Sequence, residues 1–141
     1  MRKRPRRGNL ALMEQQLTLH IVGGTSRSRA EQARFVFSRG HHAEVYADLA
    51  ELLHRPIAHG MVIASGEVLE AGVSRLIDAL GAAGTWLPVI AASEEMRVEQ
   101  IVDAVRAGAL DFCPLPLEHG EFDRLLARNA AEGAAHVATR R

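Results

Sequence analysis

Five times along the chain a short apolar run of strand length is followed by a longer stretch whose apolar residues recur at helical spacing. Neighbouring antiparallel strands can be joined by a two-residue turn, but parallel strands need a crossover, usually a helix. Repeated strand–helix alternation therefore predicts a parallel sheet with helices on both faces. The runs are Leu17–Val22, Ala43–Tyr46, Met61–Ala64, Leu87–Ala92 and Leu110–Cys113. Between them, helices are expected at about Arg27–Arg39, Asp48–His54, Val68–Leu80 and Val98–Val105, and a fifth follows from Phe122 into the Ala-rich end. Thr25 or Ser26 can cap the first helix and Gly40 can stop it. Val98, Ile101, Val102 and Val105 make the fourth helix amphipathic.

Composition narrows the class further. A chain of 141 residues with 48% apolar content fits one compact domain and not a disordered chain. Cys113 is the single cysteine, so neither an internal disulfide nor a cysteine-built zinc cluster is possible, and a reducing compartment is expected. No apolar run approaches the roughly 20 residues of a membrane span, and no secretion signal is evident. The cytoplasm is the expected location, with no membrane contact. Five basic side chains, Arg2, Lys3, Arg4, Arg6 and Arg7, stand against Glu14 in the first sixteen residues, so the rest of this neutral chain has an acidic excess. The expected organisation is a disordered basic leader over 1–16, a folded domain over 17–133, and a helical continuation over 134–141 toward an output domain beyond it. The leader is able to touch nucleic acid or an acidic surface through charge alone.

The segment Ala104-Val105-Arg106-Ala107-Gly108-Ala109-Leu110-Asp111-Phe112, the preceding Leu87-Pro88-Val89-Ile90-Ala91-Ala92-Ser93 and the following Pro114-Leu115-Pro116 occur in the order seen in one family. The chain resembles, over about 17–130, the receiver domains of two-component response regulators, especially those that precede LuxR-type DNA-binding domains. The resemblance implies a flavodoxin-like (βα)5 fold, a doubly wound five-stranded parallel sheet in the order 2-1-3-4-5. In such sheets the site lies outside the carboxyl ends of the strands, where strand order reverses.

The family's phosphoryl transfer asks for an acidic pair, a carboxylate nucleophile, a hydroxyl and a lysine. The corresponding positions here hold Gly23 and Gly24, Ala64, Ser93, and Leu115. Glycine and alanine offer no oxygen to a hard cation and no nucleophile. No lysine can serve, because Lys3 in the leader is the only one. Ser93 is expected to act as a strand-end hydrogen-bonding residue, Ser65 is not expected to accept a phosphoryl group, and Glu67 is expected to face solvent. The implied function is a non-catalytic pseudo-receiver, not an enzyme, that uses no cofactor and no metal. It is expected to act through protein contacts or dimerisation, in transcriptional regulation, and to reach DNA only through an output domain or the basic leader.

The expected contact surface is the fourth helix, fifth strand and fifth helix, with Met96, Arg97, Ile101, Val105, Arg106, Phe122, Asp123 and Leu126 on it. A second reading places a nucleotide or phosphate anion on the turn Gly23-Gly24-Thr25-Ser26, where a strand feeds a helix amino terminus. Against it, the chain has neither G-x-G-x-x-G nor a P-loop pattern. The seven histidines lack ligand-like spacing and are expected to be solvated, and Cys113 is expected to fill core space.

Overall fold

The computed structural model describes residues 16–140 except 56, 58 and 96, with side chains described up to residue 129. The expected leader, apart from Gln16, and Met96 of the expected contact surface thus lie outside the described residues. The elements run β1 Thr18–Gly23, α1 Ser26–Ser38, β2 His42–Tyr46, α2 Leu49–Leu53, β3 Met61–Ser65, α3 Gly66–Ala71, α4 Val73–Ala82, β4 Val89–Ser93, α5 Val98–Arg106, β5 Asp111–Pro114 and α6 His119–Arg140. All strand pairs are parallel, and the order is β2-β1-β3-β4-β5. The expected fold class and strand order hold.

Local chemistry sets the element ends. Thr25 caps α1 by accepting the Ser28 N–H on Oγ1 at 3.0 Å, and Asp48 caps α2 by accepting the Glu51 N–H on Oδ1 at 2.9 Å. The single helix expected over Val68–Leu80 is instead two, because Gly72, with φ 110°, turns the chain between α3 and α4. An L-residue with a side chain would be strained in that conformation, and glycine adopts it freely. The peptide between Leu115 and Pro116 is cis.

The sheet separates two apolar layers. Val22, Tyr46, Val62, Ala64, Val89 and Ala91 pack under α2 to α5 through Leu52, Val68, Leu76, Leu80 and Ala104. Leu19, Ile21, Ala43, Ile63, Ile90 and Cys113 face the other way, against Val36 of α1 and Phe122, Leu125 and Leu126 of α6. The central strands β1, β3 and β4 are buried on both faces, which is why they read as continuous apolar runs. Each fully buried Ile or Val there contributes about 1.5–3 kcal/mol relative to exposure.

Two members of the expected contact surface belong to this core. Phe122 is fully buried and Leu126 nearly so, since α6 turns both toward β5 and α1, where Phe35 meets the Phe122 ring edge-on at 5.2 Å between centroids. Asp123 is held within the chain by Arg39, at 2.7 Å. The expectation of solvated histidines also fails at His20, which is 6% exposed. Its Nε2 donates to the His59 carbonyl at 2.9 Å, so its Nδ1 accepts from the Tyr46 hydroxyl at 3.0 Å. Burial lowers its pKa.

Asp111 is a buried carboxylate that periodicity did not single out for any role. Its Oδ2 accepts from Arg128 Nε and from Asn129 Nδ2, both at 2.9 Å, while Oδ1 takes the Phe112 N–H. The carboxylate thereby ties β5 to the third turn of α6.

Candidate functional site

The carboxyl ends of β1, β3, β4 and β5 converge at Gly23, Ser65, Ser93 and Pro114. Register places Gly23 beside Ser65 and Ser93 beside Pro114, and the Leu115 N–H donates to the Ser93 carbonyl at 2.9 Å. The fold thus brings Gly23, Gly24, Ser93 and Leu115 to the same end of the sheet. Ala64 lies one residue inside, fully buried beside Val22.

Backbone fills the centre of this site. Gly23 has φ 88°, and a Cβ there would come 2.2 Å from the Ser65 carbonyl oxygen and 3.0 Å from Val68 Cγ2. From the start of α3, a Cβ on Gly66, with φ 57°, would come 2.6 Å from both Cα and N of Gly24. The β1–α1 and β3–α3 turns are in direct backbone contact, an approach that only glycine allows.

The polar groups around the contact are engaged with one another. Gly24 N–H donates to Glu67 Oε2 at 3.2 Å, so Glu67, exposed as expected, also reaches across 43 residues of sequence to the β1 turn. Arg29 Nη1 donates to the Gly23 carbonyl at 3.2 Å and also to that of Gly24. A cation from α1 therefore neutralises the two carbonyls that close the β1 turn. Ser93 Oγ donates to the Glu95 carbonyl at 3.0 Å and accepts the Glu95 N–H at 3.2 Å, closing its own turn as a strand-end residue does. Leu115 packs its side chain against the Phe122 layer. Ser65 is 3% exposed, and its Oγ has no partner.

A divalent cation does not fit these residues. Hard cations bind several oxygens, whereas Gly23 and Gly24 present no side-chain oxygen and their carbonyls face Arg29. Among the described residues no group of three or more His, Cys, Asp or Glu side chains is arranged to hold a metal. The turn proposed for an anion has its Gly24 N–H committed to a carboxylate, and its Thr25 hydroxyl committed to the Ser28 N–H.

A second feature is the outer face of α5 and β5. On α5 only Ala104 is fully buried, with Gln100, Ile101 and Ala107 partly so; Val98, Val102 and Val105 point outward. Val98 is 73% and Val105 51% exposed, and Phe112 of the edge strand β5 is also exposed. Three of the four apolar residues that make α5 amphipathic, Val98, Val102 and Val105, therefore lie on its outer face, and Ile101 is partly buried. Arg97 and Arg106 are exposed at the two ends of the stripe.

No family model and no curated protein matches the sequence. Solved receiver domains share the fold. The structure of FixJ-N is 23% identical, covers 84% of this chain and 95% of its own, and superposes with a TM-score of 0.66. A response regulator receiver protein from Pseudoalteromonas atlantica is 18% identical over 85% of this chain and 98% of its own, with a TM-score of 0.62. The response regulator StyR is 21% identical, with a TM-score of 0.69; the match covers 87% of this chain and 63% of StyR. Among the described residues no helix is long and apolar enough to cross a membrane.

Proposed function

We propose that this chain is a phosphorylation-independent receiver-like signalling module of the cytoplasm that works through protein contacts. Its most natural setting is two-component transcriptional regulation, beside a DNA-binding output domain. The observation that carries the reading is chemical. At the strand ends where a receiver would hold its acidic pair, nucleophile and lysine, this chain has Gly23, Gly24, Ala64 and Leu115. Beside them the Gly24 and Gly66 backbones approach so closely that a Cβ on Gly66 would meet Gly24 at 2.6 Å.

With no covalent switch, information has to enter or leave by binding. The outer α5–β5 face supports that part of the reading, because exposed apolar side chains that are contiguous mark interaction sites. Val98, Val102, Val105 and Phe112 supply the apolar centre, and Arg97 and Arg106 lie at its rim. A two-fold pairing of this face with a second copy is the proposed assembly.

Intact-mass analysis after incubation with Mg²⁺ and acetyl phosphate tests the chemistry: no phosphoryl adduct is expected, and a stoichiometric adduct overturns the reading. Sedimentation of the wild type and of Val105→Glu tests the assembly. A concentration-dependent dimer lost in the variant is expected, while a monomeric wild type at high micromolar concentration overturns the pairing.

A further inference from the structure

Leu17 is the last residue before β1, and the entry to β2 holds both sides of its backbone. Its carbonyl accepts the His42 N–H at 2.9 Å, which starts the parallel ladder. Its N–H donates to a side chain instead, His41 Nδ1, at 3.0 Å. A ring nitrogen that accepts carries no proton, so His41 is neutral here, with its proton on Nε2. An imidazolium has a donor at each nitrogen and no acceptor, so a single proton turns this partner of the Leu17 N–H into a second donor.

The ring has no other acceptor to offer. Turned over, it would present a carbon where Nδ1 stands. It lies against Phe122 of α6, with centroids 6.2 Å apart and planes at 64°, and the His41 N–H donates to the Val36 carbonyl of α1 at 3.2 Å. The Leu17 side chain packs on the same α1–α6 layer. This corner therefore joins β1, β2, α1 and α6 where the basic amino-terminal segment leads into the sheet.

The surroundings decide when the proton binds. Arg39 follows α1 and Asp123 lies on α6; they pair at 2.7 Å and act on His41 in opposite directions. Arg39 also donates to His119 Nε2 of α6 at 3.4 Å, and on β2 His42 pairs with Glu44. Burial is the larger influence and lowers the His41 pKa from its ordinary 6.5. The accepting form is thus the one present at neutral pH. An opened corner takes up the proton more readily than a closed one, so opening is favoured as pH falls below that value.

We propose that His41 is a proton-operated latch: neutral, it fastens Leu17 to the entry of β2, and protonated, it releases that residue and loosens the joint between the sheet and the basic segment before it. The latch sits at the opposite end of the strands from the Gly23–Ser65 contact and does not depend on the α5–β5 pairing.

NMR of the isotope-labelled full chain tests this by following the Leu17 amide and the His41 ring from neutral to mildly acid pH. The two are expected to share one midpoint, below 6.5. Amide-exchange protection at Leu17, corrected for the intrinsic effect of pH, should fall about five- to tenfold across that step, the worth of one hydrogen bond, while Ile63 in the centre of the sheet keeps its protection. His41→Phe keeps a ring beside Phe122 but has no acceptor, so its Leu17 amide should stay in the released form at every pH. His41→Gln keeps an acceptor that does not titrate, so its Leu17 shift should be flat. A Leu17 amide that does not move, that follows a midpoint other than that of His41, or that still titrates in either variant overturns the proposal. An equal loss of protection at Ile63 overturns it too, because the opening would then be global unfolding.

Discussion

Replacing Gly23 with alanine tests the account of the strand-end site most directly. Two penalties add at this position. The positive φ of 88° costs an L-residue about 1–2 kcal/mol. The new Cβ also meets the Ser65 carbonyl oxygen at 2.2 Å, and this neighbour is backbone of the paired strand, not the end of a flexible side chain. Relief requires β1 and β3 to separate at their ends, giving up about one or two ladder hydrogen bonds at roughly 1 kcal/mol each. Burying a displaced Val68 contact adds to this, so the total is about 3–4 kcal/mol. The internal control is Gly40→Ala, where φ is 86° but a Cβ meets nothing within 4 Å, so only the conformational cost of about 1–2 kcal/mol applies. Urea denaturation gives the comparison. With a slope of about 1.5 kcal/mol/M, Gly23→Ala should lower the midpoint by about 2–3 M and Gly40→Ala by about 1 M. If the two variants fall within about 0.5 kcal/mol of each other, a difference measurable by this method, the backbone contact at the strand ends is not as described. The same logic predicts that the triple variant Gly23→Asp, Gly24→Asp, Ala64→Asp is destabilised and gains no phosphoryl transfer, which intact-mass analysis with acetyl phosphate checks.

Asp111→Ala removes the tie between β5 and α6. Asn129 then loses a buried acceptor while Arg128, more than half exposed, returns to water, so a loss of about 2–3 kcal/mol is expected in urea, with the α6 amides losing hydrogen-exchange protection first. Burial lowers the pKa of His20 and of His41, so the unfolded chain binds more protons below the ordinary value of 6.5. Stability should therefore be complete above that pH and fall as pH drops through the window beneath it; the double variant His20→Gln, His41→Gln should flatten that dependence in urea midpoints, with Glu44, His42 and His59 unchanged around His20. Cys113 is buried and its thiol is pushed up to about 11, so at pH 8 it should resist a disulfide reagent in the native state and react once urea unfolds the chain. Rapid labelling of the native protein would contradict the packing of β5.

Much of the architecture was readable without coordinates because it depends on periodicity, and periodicity is local. The continuous apolar runs at Leu19–Val22, Met61–Ala64 and Val89–Ala92 required strands buried on both faces, and the helical spacing between them required crossovers. The residue types at the strand ends were equally legible, so the absence of carboxylate and lysine chemistry at Gly23, Gly24, Ala64 and Leu115 needed only the chain and the resemblance of its motifs. What packs around those positions was not legible. The contacts of Gly66 with Gly24, and of Glu67 with the Gly24 N–H, join residues more than 40 positions apart, and only the β1–β3 register brings them together. The same limit explains the misplaced surface residues. Apolar spacing shows that a helix has two faces but not which face meets the sheet, so Phe122 and Leu126 went to the core while Val98 and Val105 stayed outside. The partners of Asp111, a member of the quoted motif, and of Gln32 were not legible either. Tertiary packing alone decided that one carboxylate finds Arg128 and Asn129 and that one amide oxygen is buried without a partner, since a polar side chain's role is set by what lies beside it in space.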